Sequence, residues 1–81
     1  MTDNSDIRMN IRYTIVQLIY FPDNIKEYDD YTVCKYDNGI ILEFHEKYIL
    51  ATFPHESEPV RLEYTKLCYI NSMLELYKDA K

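Results

Sequence analysis

A small α+β domain is the fold class this sequence predicts, and three observations carry it. Asn38-Gly39 stands between two runs rich in β-branched and aromatic residues, the strongest short-range signal for a β-hairpin. A further run of the same kind follows His45-Glu46. The last part of the chain then places apolar residues at helical spacing as far as Tyr77. Strands and helix each have one face to bury, so the expected architecture is an antiparallel β meander of three to four strands with a C-terminal amphipathic helix across it.

The chain opens on a polar stretch from Thr2 to Asp6. Residues 1–8 are therefore expected to form a flexible N-terminal tail, and residues 9–81 a single domain. Met9 to Phe21 can be read two ways. Period 2 lines up Ile11, Tyr13, Ile15, Ile19 and Phe21 with only Gln17 interrupting, whereas period 3.6 leaves a polar stripe of Asn10, Thr14 and Gln17. The cleaner alternation and the many β-branched residues favour a strand. A helix is the alternative, and it changes the element order to αβββα. In order of elements that alternative resembles the double-stranded-RNA-binding fold and several small acidic phage inhibitors. No family follows from it, because the segment Ser57 to Val60 lacks a lysine cluster that would grip phosphates.

Pro22-Asp23-Asn24 ends the first element, since proline has no N–H to donate and Asp-Asn favours a turn. A loop is expected from there to Asp30. Strands are expected at about Tyr31 to Tyr36, Ile40 to His45 and Lys47 to Phe53, with φ > 0 at both Asn38 and Gly39. Period 2 assigns Ile40, Leu42, Phe44, Ile49, Ala51 and Phe53 to the core. Pro54 stops the sheet. Ser57 can cap a helix, Glu58 complements its dipole, and Pro59 suits its first turn. Val60, Tyr64, Leu67, Ile70, Leu74 and Tyr77 then form its inner stripe. Val60 to Tyr64 also alternates, so a short fifth strand with Thr65 capping a shorter helix is the alternative there. Leu62, Tyr69, Met73 and Leu76 make a second stripe beyond what one sheet covers, and they are the candidate oligomer interface.

Composition narrows the partners. Eighty-one residues allow one core, and a chain of this length buries only about 60–65% of its unfolded surface. A hydrophobic fraction of 47% with nine tyrosines still argues for a packed domain rather than disorder. Nine Lys and Arg against fourteen Asp and Glu leave a net charge of −5. Direct binding to nucleic acid or to an anionic membrane is disfavoured, and a larger protein with a basic surface is favoured. No apolar run approaches the length of a membrane span. Cys34 and Cys68 are expected as two buried thiols in a reducing compartment, which makes the protein cytoplasmic.

The candidate partner-binding residues crowd one region: Asp23, Glu27, Tyr28, Asp29, Asp30, Tyr31 and Asp37, with Lys26 as the only base among them up to Tyr31. Carboxylates set against Arg and Lys gain charge-assisted hydrogen bonds, so such a surface can imitate phosphates on a nucleic-acid-binding protein. No enzyme is expected. His45-Glu46 and His55-Glu56 lack the short spacing that lets one turn or helix face supply two metal ligands. Pro22-Asp23 has no following acid-x-Lys pair in a strand, and a single glycine rules out phosphate-cradling loops. Cys34 has no activating neighbour in sequence. No metal, catalytic residue or cofactor is expected. The tyrosines are too many for so small a core, and as a set beside a negative surface they favour protein contact. The expected function is a small acidic interaction module, in the form of an inhibitor of a basic site. The alternative is a self-associating homo-oligomer or accessory subunit using the C-terminal helix.

Overall fold

Two helices lie on one face of a five-stranded antiparallel sheet in the computed structural model, which describes residues 5–78. The elements are α1 (Ser5–Ile15), β1 (Asn24–Glu27), β2 (Thr32–Lys35), β3 (Ile41–Phe44), β4 (Ile49–Thr52), β5 (Val60–Leu62) and α2 (Leu67–Tyr77), with a 3-10 turn at Tyr64–Lys66 before α2. Neighbours in sequence pair in space, in the order β1-β2-β3-β4-β5. The α+β meander with a C-terminal helix is present, with five strands rather than three to four.

Four local expectations are corrected. Residues 9–15 are helix, and the helix begins at Ser5, inside the expected tail; residues 1–4 lie outside the described residues. Asp6 in the first turn and Arg12 in the last complement the dipole. Ile7, Ile11, Ile15 and Leu18 then point into the core at helical spacing. Thr14, buried on that face, satisfies its hydroxyl by donating to the Asn10 carbonyl at 2.9 Å. The 3.6-residue period wins because the sheet supplies a surface for that stripe. Secondly, the expected loop contains β1. All four of its residues are exposed, so no burial alternation marks it, and pairing with β2 holds it.

Thirdly, Val60–Leu62 is strand β5, not the first turn of the helix; Val60 faces Ala51 and Leu62 faces Ile49. Fourthly, the β2–β3 connection is a three-residue loop. Tyr36 N–H donates to the Ile40 carbonyl at 2.9 Å and Gly39 N–H to Tyr36 at 3.1 Å. Only Gly39, at φ +102°, has positive φ among the described residues. Asn38 keeps negative φ and works through its side chain: Oδ1 accepts from Ile40 N–H at 3.0 Å and Nδ2 donates to the Tyr77 carbonyl at 3.1 Å. The turn thereby tethers the end of α2.

Ile40, Leu42, Phe44, Ile49, Ala51 and Phe53 are all buried as expected, and Ile70 and Leu74 of α2 close over them. Cys34 is buried beside them, and burial pushes its thiol pKa up to about 12. Cys68 is exposed on α2, which corrects the second buried thiol. Among the described residues no helix is long and apolar enough to cross a membrane.

Candidate functional site

Strand alternation sorts the side chains between the two faces of the sheet. The register aligns Ile25, Cys34, Leu42, Ala51 and Val60 in one row and Lys26, Val33, Glu43, Leu50 and Arg61 in the next. Cys34, Leu42 and Ala51 are fully buried, so the first row faces the helices and the second lies on the open face. Strand β1, expected as loop, and strand β5, expected only as the alternative to a helix start, thus decide where two cations go: β1 delivers Lys26 and β5 delivers Arg61 to the open face. Lys35 joins them from the next row.

At one end of that face four rings form a ladder across the strands. Tyr28 stacks on Tyr31 at 4.6 Å between centroids, Tyr31 on His45 at 4.9 Å, and His45 on Tyr48 at 4.7 Å, all within 12° of parallel. Each end meets a cation. Lys26 Nζ stands 5.6 Å from the Tyr28 centroid, and the Arg61 guanidinium lies 4.2 Å from that of Tyr48. The turns at both hairpins hold the rings in register: Tyr28 N–H donates to the Tyr31 carbonyl at 2.8 Å, and His45 N–H to Tyr48 at 2.9 Å. Tyr64 hydroxyl donates to the His45 carbonyl, and Glu43 Oε1 lies 3.0 Å from His45 Nε2. Beside the ladder a groove of about 390 Å³ has Val33 and Ile41 as its apolar floor and Lys26 and Lys35 among its lining.

The expected acidic site is divided. Asn24 pairs with Lys35 at one end of the β1–β2 hairpin and Glu27 with Thr32 at the other. Asp23 and Asp37 therefore lie at one end, and Asp29 and Asp30 at the other, roughly 13 Å of strand apart. Most of these carboxylates already have partners in their own chain. Asp23 Oδ2 accepts from Asp37 N–H at 2.8 Å. Glu27 takes two bonds from the Arg12 guanidinium, at 2.8 and 3.0 Å, and this pairing holds its carboxyl below the usual range. Arg8 reaches Asp29 at 3.3 Å. Asp30 is exposed, and Tyr28 and Tyr31 belong to the ring ladder rather than to an acidic rim.

The expected oligomer stripe is also only partly free. Leu62 and Met73 pack against the core, and Tyr69 meets Phe53 edge-on at 6.3 Å. Leu76 alone of the four is wide open. The larger exposed apolar surface is on α1 and the turn after it, where Met9, Tyr13, Val16, Ile19 and Phe21 are between 52% and 70% exposed. Met9, Tyr13 and Val16 follow i, i+4, i+7 spacing on the side opposite Ile11. The turn is firmly held: Ile19 N–H donates to Asn71 Oδ1 at 2.9 Å, Tyr36 hydroxyl to the Tyr20 carbonyl at 2.6 Å, and Tyr20 hydroxyl to Glu75 at 2.7 Å. Its exposed side chains are therefore displayed by an ordered backbone. The spacing of Met9, Tyr13 and Val16 was the available sequence signal, and the strand reading of that segment hid it.

Among the described residues no three His, Cys, Asp or Glu side chains converge as a metal site. No family model, curated protein or solved structure matches the chain.

Proposed function

We propose that the chain is a small non-enzymatic protein-interaction module that docks through the outer face of α1 and the turn at residues 16–21. The observation that carries this is the set of five large apolar side chains left half or more exposed on one held surface. At ~150–250 Å² for a whole aromatic side chain, they offer on the order of 600 Å², the upper end for a monomer's largest apolar patch and close to the ~800 Å² each partner gives a standard interface. The occupant that the spacing favours is a second copy. Residues 9, 13 and 16 are nearly symmetric about Tyr13, so two antiparallel α1 helices set Met9 of one copy against Val16 of the other and Tyr13 against Tyr13, an isologous contact.

Molar mass across a concentration series tests this. A dimer that Tyr13→Glu with Val16→Glu converts to a monomer of unchanged circular dichroism is the expected result. A native chain that stays monomeric at every concentration would sink it.

The acidic docking surface is the second reading. It keeps the net charge of −5 and the exposed Asp30 and Asp37 in its favour. A basic partner held this way should be released by raising salt to about 0.5 M, where the screening length falls to about half its physiological value.

A further inference from the structure

We propose that the open face of the sheet binds single-stranded nucleic acid, with one nucleotide seated in the groove beside the ring ladder. The sequence argues against nucleic acid because it places only Lys35 and Lys47 on the sheet segments of an acidic chain. The fold changes that balance locally. Lys26, Lys35 and Arg61 share the open face, and among the described residues none of them makes an ion pair. The one carboxylate among the strand residues of that face, Glu43, lines the groove opposite the lysines, with its Oε1 3.0 Å from His45 Nε2. The two arginines of α1, by contrast, are used up on Glu27 and Asp29. A protein of net charge −5 thus presents on one face three cations that, among the described residues, have no carboxylate partner; Lys26 and Arg61 lie instead over the Tyr28 and Tyr48 rings.

The groove suits the rest of a nucleotide. Its volume of about 390 Å³ lies in the range of small-ligand sites, and its floor of Val33 and Ile41 is apolar, as a base requires. Tyr28 and Tyr31 line it beside Lys26, and displacing the flexible Lys26 side chain opens the outer face of Tyr28 to a stacked base. Lys26 and Lys35, on adjacent strands, take the flanking phosphates. Arg61 lies three strands from Lys35, about 14 Å across the sheet, where a strand crossing the face reaches it. Asp30 and Glu46, in the turns beyond the ladder, keep phosphates on the lysine side. A sheet covered by helices on one face and offering rings and cations on the other is a surface on which unpaired bases can spread.

The test is fluorescence anisotropy of a labelled random-sequence RNA octamer with the full chain, competed by uridine monophosphate and by a deca-glutamate peptide. Saturable binding is expected that weakens roughly 20-fold from about 50 to about 200 mM salt, the slope of three phosphate contacts on a single strand. Lys26→Glu with Lys35→Glu should lower affinity at least tenfold, and Leu76→Glu, exposed on the helix side, should leave it unchanged. Should the double variant fold poorly, amide shift mapping on the native chain replaces it, with changes expected at Val33 and Ile41. Absence of saturable binding would overturn the proposal. So would displacement by deca-glutamate as effective as by unlabelled RNA, which would mean an acidic-peptide site, or by the mononucleotide at equal nucleotide concentration, which would mean a free-nucleotide site. Shifts confined to α1 would overturn it as well. The outcome is independent of dimerisation, since the two surfaces lie on opposite sides of the sheet.

Discussion

Helices α1 and α2 are both eleven residues long, both lie on the same face of the sheet, and both carry more apolar side chains than the sheet can cover. They dispose of the surplus differently. On α2, Tyr69 and Tyr77 find Phe53, and Met73 leans on the core, so only Leu76 stands fully outward. On α1 the surplus lies opposite the core. Met9, Tyr13 and Val16 are 65–70% exposed, while the flank toward β1 is occupied by the Arg8 and Arg12 ion pairs. A second apolar stripe becomes folding contact when it lies next to the first, and docking surface when it lies opposite.

The largest effects should show what the two helices share. Ile11→Ala on α1 and Leu74→Ala on α2 each remove a fully buried side chain and should each cost about 2–5 kcal/mol in denaturant unfolding. If Ile11→Ala cost almost nothing, α1 would be a loosely attached element and not half of the core. Thiol chemistry separates surface from interior on a smaller scale. With its thiol pKa at about 12, Cys34 should react with a thiol reagent at pH 8 at least a thousandfold more slowly than exposed Cys68 until the chain unfolds.

The helices should then part company in association. Tyr13→Glu should weaken self-association by tenfold or more, whereas Leu76→Glu should alter it little; the reverse result would return the interface to α2. The smallest effect concerns the tether of α1. Glu27 is held below its ordinary pKa by Arg12, so its contribution is present above the unfolded value near 4.5 and is lost as pH falls through the lower folded value. Protection of the α1 amides against exchange should therefore fall below about pH 4.5. Arg12→Ala should abolish that fall in α1 and leave untouched any acid response of α2, where Glu75 is itself held below its ordinary pKa by Tyr20 and Lys78. An unchanged acid response of α1 in Arg12→Ala would mean that the pair does not hold it.

Legibility in the sequence follows burial. Alternation from Ile40 to Phe53 identified six core side chains because that segment has one wet and one dry face, and period 2 records it. Strand β1 left no such record, since all its side chains are exposed and its place is set by backbone pairing with β2. For residues 9–15, strand and helix patterns overlap when apolar residues are dense. The competition was settled by a sheet face that no local window contains. The acidic site was legible as a composition but not as a geometry: Asp23 and Asp29 are six residues apart, yet a strand separates them, and arginines from α1 meet Glu27 and Asp29 across the fold.

The sequence by itself determined that this chain has one core, that its centre is a meander turning at Gly39 and that its surface is acidic overall. These follow from local conformational preference, residue period and summed charge, none of which needs a partner in space. Tertiary structure alone decided which surplus apolar stripe is exposed, which carboxylates are neutralised and that Lys26, Lys35 and Arg61 stand together on one face. Those outcomes depend on contacts between distant segments, and pairing β1 and β5 into the sheet is what turned a loop lysine and a helix arginine into neighbours of the ring ladder.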